Sequence, residues 1–222
     1  ISPPTRLFFY PYLQSSVDLN KDNRPLSGYS AGMDLKYGIS NNFTLDATLI
    51  PDFGQVAFDE KELNLSPFEQ KFDENRAFFT EGSQLFKKAD SQGYRGGNFF
   101  YSRRIGDDIY LDTDEVIEDD EELISYDTKA KLINSIKLTG TTNSGLSIGI
   151  INSITKKAYA NIRDLNTNEI KNKLIAPQTN YNVISLSQKA LNQYSTFSFI
   201  NTNVNRGGDF NNSNNSALVI DL

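Results

Sequence analysis

Apolar and polar residues alternate with a period of two over long stretches of this chain. From Tyr29 to Ile39 one face carries Tyr29, Ala31, Met33, Leu35, Tyr37 and Ile39, while the other carries Ser30, Gly32, Asp34, Lys36 and Gly38. Unbroken alternation of this length predicts a β-strand with one apolar face. Ser40-Asn41-Asn42 has turn chemistry. The apolar face then resumes with Phe43, Leu45, Ala47 and Leu49, so the stretch reads as a hairpin. The pattern recurs. Residues 134–142 and 146–155 flank Asn143-Ser144-Gly145, and residues 182–190 and 194–204 flank Leu191-Asn192-Gln193. Residues 7–20 and 216–222 read as two further strands, bringing the count to eight.

Two architectures produce such alternation. In a sandwich the apolar face packs on a second sheet; in an outer-membrane barrel it meets lipid and the polar face meets a wet lumen. Strands of about 9–11 residues suit a tilted membrane crossing better than the ~5–6 of an average soluble strand. The three tight turns are separated by even numbers of strands, which puts them on one rim and the long connections on the other, as in membrane barrels. The sequence therefore predicts an all-β fold, an antiparallel transmembrane β-barrel fragment of about eight strands. Residues 1–58 supply strands 1–3, residues 59–133 form a plug or cap excursion with a short helix, and residues 134–222 supply strands 4–8, with the chain continuing beyond 222. Met33, Leu35, Leu45, Leu49, Ile148 and Ile150 are the lipid-facing positions on this reading. The alternative is a soluble β-sandwich adhesion module.

The excursion has signals of order. Ser66-Pro67-Phe68-Glu69 combines a capping box with proline at the first helical position. Phe68, Phe72, Phe78 and Phe79 are more aromatics than a mobile loop carries. Tandem Arg103 and Arg104 precede an acidic run from Asp107 to Glu122. Clustered carboxylates suit calcium, with Asp112, Asp114 and Glu118 as candidates. The EF-hand spacing fails, because Val116 stands fifth from Asp112 and no glycine follows. A solvated acidic loop, kept extended by self-repulsion over 112–122, is the plainer reading. Arg103 and Arg104 pair with carboxylates or recognise a sugar or phosphate; Arg76, Asp52 and Glu81 complete the candidate binding set.

Composition narrows the chemistry. The 222 residues include no Cys, Trp or His, which removes disulfides, Cys/His zinc sites and every histidine-based catalytic arrangement. A net charge of −6 argues against a nucleic-acid surface. No catalytic residue and no cofactor is assigned, and a non-catalytic role is expected.

A run of motifs adds a resemblance. Asp34-Leu35-Lys36-Tyr37-Gly38, Leu45-Asp46-Ala47-Thr48, Pro51-Asp52-Phe53-Gly54-Gln55-Val56, Asn75-Arg76-Ala77-Phe78-Phe79, Glu81-Gly82 and Phe100-Tyr101-Ser102-Arg103-Arg104-Ile105-Gly106 occur in order, followed by Lys137-Leu138-Thr139-Gly140 and Gly145-Leu146-Ser147-Ile148-Gly149. This series resembles a family of Gram-negative outer-membrane β-barrels of unknown function. Its members usually carry an N-terminal domain resembling family-nine carbohydrate-binding modules. The chain departs from the family at Ile50, where Asn is common, at Ala77, where proline is usual, and in the acidic insert 107–127. The resemblance implies the bacterial outer membrane as location and outer-membrane lipid as partner. It also implies a role in transport, binding or envelope assembly with other envelope proteins. Polysaccharide binding or hydrolysis at the outer membrane is the alternative it suggests.

Overall fold

The computed structural model describes residues 6–18, 26–51, 71–87, 99–189 and 195–221. Within them lie eleven strands: β1 (Arg6–Asp18), β2 (Leu26–Gly38), β3 (Phe43–Leu49), β4 (Glu121–Tyr126), β5 (Leu132–Thr141), β6 (Leu146–Thr155), β7 (Ala158–Asp164), β8 (Ile170–Ala176), β9 (Thr179–Lys189), β10 (Thr196–Arg206) and β11 (Ser213–Asp221). Strands stand on all eight alternating segments. They form one antiparallel sheet in the order β1-β2-β3-β5-β6-β9-β10-β11, and β4, β7 and β8 form a second sheet of three.

The expected closed transmembrane barrel is not formed. Among the described residues β1 pairs only with β2 and β11 only with β10, so the main sheet is open at both edges. The physical reason lies on the polar face. The interior of an eight-stranded barrel has room for side chains and little more. Here that face is covered by a layer built from α1 (Ala77–Thr80), α2 (Gln84–Lys87) and a 3-10 turn (Ser102–Arg104). Phe79, Phe86 and Ile105 of the layer pack against Leu132, Ile151, Val183 and Ile200 to make the core. The expected plug is thus a layer on an open sheet, with no lumen to fill. Its approach is close: a Cβ on Gly149 would lie 2.9 Å from the Phe86 ring. The helix start expected at Ser66 and the turn 191–193 lie outside the described residues. The turns after β2 and β5 share one end of the sheet, where Asn42 Nδ2 donates to Asn143 Oδ1 at 2.8 Å.

The second sheet departs further from the sequence reading. Residues 156–181, one of the long connections between the alternating segments, contain the β7–β8 hairpin. Asp164 shapes its turn: Oδ1 accepts from the Asn166 and Thr167 N–H groups at 3.0 Å, and Oδ2 accepts from Lys171 Nζ at 2.9 Å. Lys171 above all, with those backbone donors, pulls the Asp164 carboxyl down to about 2. Asn168 takes the left-handed conformation at φ 59°, which Asn tolerates. The acidic stretch, expected to stay extended, forms α3 (Thr113–Val116) and β4. Its counter-charges come from far along the chain. Arg163 meets Glu122 at 2.9 Å, and Lys173 Nζ donates to the Val116 carbonyl at 2.7 Å.

One backbone position carries strain. Ile50 follows β3 with φ 48°, where a β-branched residue is an outlier. Its N–H donates to the Ile133 carbonyl at 2.8 Å and its carbonyl accepts from the Tyr12 hydroxyl at 2.9 Å, which holds it there. The side chain is 43% exposed, so little burial depends on it. Ile50→Asn should therefore raise stability by about 1 kcal/mol, read as a higher urea midpoint at unchanged slope. A lower midpoint would mean that Ile50 contributes more by packing than its backbone costs.

Candidate functional site

The covering layer carries the most enclosed charges. Arg76 is buried, and its guanidinium grips Glu74 through Nε to Oε1 at 2.8 Å and Nη2 to Oε2 at 2.6 Å. Nη1 donates to the Ile105 carbonyl at 2.6 Å and Nη2 to the Ser102 carbonyl at 2.8 Å. The group lies 4.4 Å from the centre of the Phe79 ring. Ser102 Oγ donates to Glu74 Oε2 at 2.6 Å. Burial raises the pKa of Glu74, but the Arg76 hydrogen bonds and charge outweigh it and hold the carboxyl below its ordinary value.

A second buried cation ties the layer to the sheet. Lys137 of β5 is 1% exposed. Its Nζ donates to the carbonyls of Phe78 and Glu81, at 2.5 and 2.8 Å, and lies 3.3 Å from Asp46 Oδ2 on β3. Burial lowers its pKa and Asp46 restores only part of the loss. Lys36 bonds the Glu81 carboxylate nearby. Neither Lys137 nor Glu74 was singled out in the sequence. The available signal was Lys137 and Asp46 facing the same way on strands that prove to be neighbours.

The sequence candidates are scattered. Arg76 is enclosed as described, Glu81 is exposed and paired with Lys36, and Asp52 lies outside the described residues. Arg103 is half-buried and Arg104 exposed, both in the 3-10 turn. Asp112 caps α3 by accepting from the Asp114 N–H at 3.1 Å, while Asp114 and Glu118 are exposed. Among the described residues no group of three carboxylates is close enough to hold a metal ion.

What the fold does gather is the other face of the main sheet. Leu7, Tyr37, Leu45, Leu138, Ile150 and Ile184 stand side by side across six strands. A parallel row runs Phe43, Gly140, Ile148, Leu186, Phe199 and Leu218. Met33, Leu35, Leu45, Leu49, Ile148 and Ile150 all lie on this face, Leu49 and Ile150 exposed and the rest half-buried. No described position on it carries a charged residue. One corner is amide instead: Asn152 Nδ2 donates to both Asn180 Oδ1 and Asn182 Oδ1 at 2.7 Å. At the turn end of the opposite face is an open recess of about 430 Å³, lined by Asn42, Thr44, Gln84, Thr139 and Thr142 among others.

The class this defines is an all-β protein of two open antiparallel sheets, one of whose faces is uncovered and charge-free among the described residues. Over residues 3–222 the chain matches the family model of a domain of unknown function, DUF5916, and it belongs to that family. No curated protein and no solved structure matches it. These findings correct the resemblance drawn from the motifs. With the sheet open, the outer-membrane barrel family, the bacterial outer-membrane location, the lipid partner and the transport or envelope role lose the barrel on which they rested. No helix among the described residues is long and apolar enough to cross a membrane.

Two measurements test the Arg76 cluster. Arg76→Ala leaves the largely enclosed Glu74 without its cation and removes a donor from the Ile105 and Ser102 carbonyls, and should cost about 3–5 kcal/mol in urea unfolding. Arg76→Lys should recover little, since an ammonium cannot span the carboxylate and both carbonyls. The pH dependence follows from the depressed pKa of Glu74. Its stabilisation is complete above the unfolded value near 4.5 and is lost as pH falls through the lower folded value. Glu74→Gln should therefore be less stable than wild type at pH 7, with the gap closing in acid. A constant gap would show that the ionised carboxylate adds nothing.

Proposed function

We propose that this chain is a non-catalytic binding module of the adhesion type, acting through the bare face of its main sheet. The observation that carries this reading is the row Leu45, Leu138, Ile150 and Ile184 on a face with no charge among the described residues, in a chain with 50 charged residues. Exposed apolar surface of this extent marks interaction sites. Its occupant is a second β-layer, the bare face of another copy, completing a face-to-face sandwich with alternating side chains inside. Two charge-free faces meet without stranding an ion in the contact.

A non-catalytic role fits the way the enclosed acids are used. Glu74 and Asp46 each neutralise a buried cation that holds backbone carbonyls. Their environments serve the fold: the Ser102 hydroxyl bonds Glu74, and Lys137 lies against Asp46.

The test is capture of the free chain by the same chain immobilised on a surface, in buffer without detergent. Ile150→Lys combined with Ile184→Lys should reduce capture at least tenfold, because each copy would bury uncompensated charge. Circular dichroism must report the same strand content in both proteins. Unchanged capture by the double variant would sink the reading. So would a chain that stays folded only in detergent micelles, since lipid-like molecules would then be the occupant of this face.

A further inference from the structure

Polarity divides the bare face of the main sheet along a diagonal. On its inner strands an amide corner gathers Asn152 of β6, Asn180 and Asn182 of β9, and Asn203 and Asn205 of β10 at neighbouring positions. Two apolar wings flank the corner. One holds Met33 and Leu35 of β2 with Ala47 and Leu49 of β3. It lies at the level of the corner, since Ala47 pairs with Ile136 and Ile136 with Asn152. The other wing lies nearer the turn end of the sheet and holds Leu186 of β9 with Phe197 and Phe199 of β10. Strands stand about 4.8 Å apart and rise about 3.4 Å per residue. The area from β2 to β10 is therefore about as wide as it is long, and reflection across the diagonal through the corner carries one wing onto the other.

We propose that two copies cover each other's bare face about a two-fold axis along this diagonal, amide corner on amide corner, with their strands crossing near right angles. This rests on the self-contact proposed above and adds its geometry. A closed contact between two copies of one face is isologous, so a two-fold axis lying between the sheets relates them. Its direction decides what meets what. An axis along the strands sets Leu49 over Asn180. An axis across the strands sets Asn182 over Leu186. The other diagonal sets Asn182 over Phe43. Each of these withdraws water from amides and offers only carbon in return, which is costly because a side-chain amide has more donors and acceptors than its bonds within the sheet use. Sliding either of the first two contacts until the corner lies outside takes an apolar wing out with it. About the diagonal through the corner, Asn182 meets its own counterpart and Asn201 meets Asn134. Ile136 meets Ile184, and Leu49 meets Phe199. Amide stands over amide and apolar over apolar at each of these positions, in the orthogonal class of sheet packing.

The chain has no cysteine, so single substitutions give defined cross-links. With a short bis-maleimide, Asn182→Cys should link to its own copy. Leu49→Cys and Phe199→Cys should link when mixed and far less when either is treated alone. Adding Ile150→Lys and Ile184→Lys should remove both products, which ties them to this face. Each cysteine variant is checked by circular dichroism and by capture on the immobilised chain. Asn203→Cys, on the next strand at the same level, replaces Asn182→Cys if that variant does not fold. Capture that persists without these links would overturn the diagonal contact and leave the self-contact standing. So would links of Leu49→Cys to Asn180→Cys, or of Asn182→Cys to Leu186→Cys or Phe43→Cys. Absence of both capture and cross-links would overturn the two proposals together.

Discussion

An irregular segment laid on a sheet brings carbonyl groups that no ladder satisfies, and two buried cations meet that need here. Arg76 takes the carbonyls of Ser102 and Ile105; Lys137 takes those of Phe78 and Glu81. Each has one carboxylate partner, Glu74 and Asp46, so neither is an isolated buried charge. Only with those carbonyls engaged can Phe79, Phe86 and Ile105 settle on Ile151, Val183 and Ile200. Buried ion pairs add little net stability over an apolar replacement, but removing one member is expensive. Their contribution is geometric: Arg76 fixes the layer internally, and Lys137 fixes it to the sheet.

The sheet is built to receive that layer. Residues facing it are mostly small: Ser135, Ser147, Gly149, Ser153, Ser185 and Ser187. Ser135 and Ser153 share a hydroxyl hydrogen bond, Ser187 and Ser198 share another, and Ser185 Oγ donates to the Leu85 carbonyl at 2.7 Å. Small hydroxyls let the backbone of the layer come close while keeping their own polar atoms partnered, which a row of leucines would prevent.

How far this was legible follows from what alternation encodes. It identifies a strand and assigns each residue to a face, and all eight main-sheet strands were found that way. It says nothing of whether the first strand meets the last, so open and closed sheets read alike. β7 and β8 were missed because their alternation is short and β8 exposes Lys171, Asn172 and Lys173 in succession. The acidic stretch was misread for want of a counter-charge nearby in sequence; Arg163 and Lys173 arrive only after the chain has folded back. Lys137 was overlooked because a lysine on a polar strand face ordinarily reaches water. Arg76 was noticed, but nothing in its neighbourhood announced that its donors would be spent on Glu74 and two carbonyls.

The two faces of the main sheet reverse the usual arrangement, in which apolar residues are covered and polar ones exposed. Covering the polar face required specific hydrogen bonds, because its small side chains offer little area to bury. The apolar face needs no such pairing, so any apolar layer that fits its shape gains from covering it. Covering would meet polar atoms mainly at the amide corner, with Tyr37 and Gln188 elsewhere on the face. Several amides of the corner already bond one another, Asn152 with Asn180 and Asn182, and Asn201 Nδ2 with Asn214 Oδ1 at 2.7 Å and Ser216 Oγ at 2.8 Å, while Asn134 Oδ1 is buried without a partner. Polar groups that partner within their own sheet lose less when water is withdrawn. This face is therefore apolar over its main rows and, Asn134 apart, hydrogen-bonded within itself at its corner, and that combination suits it to being covered.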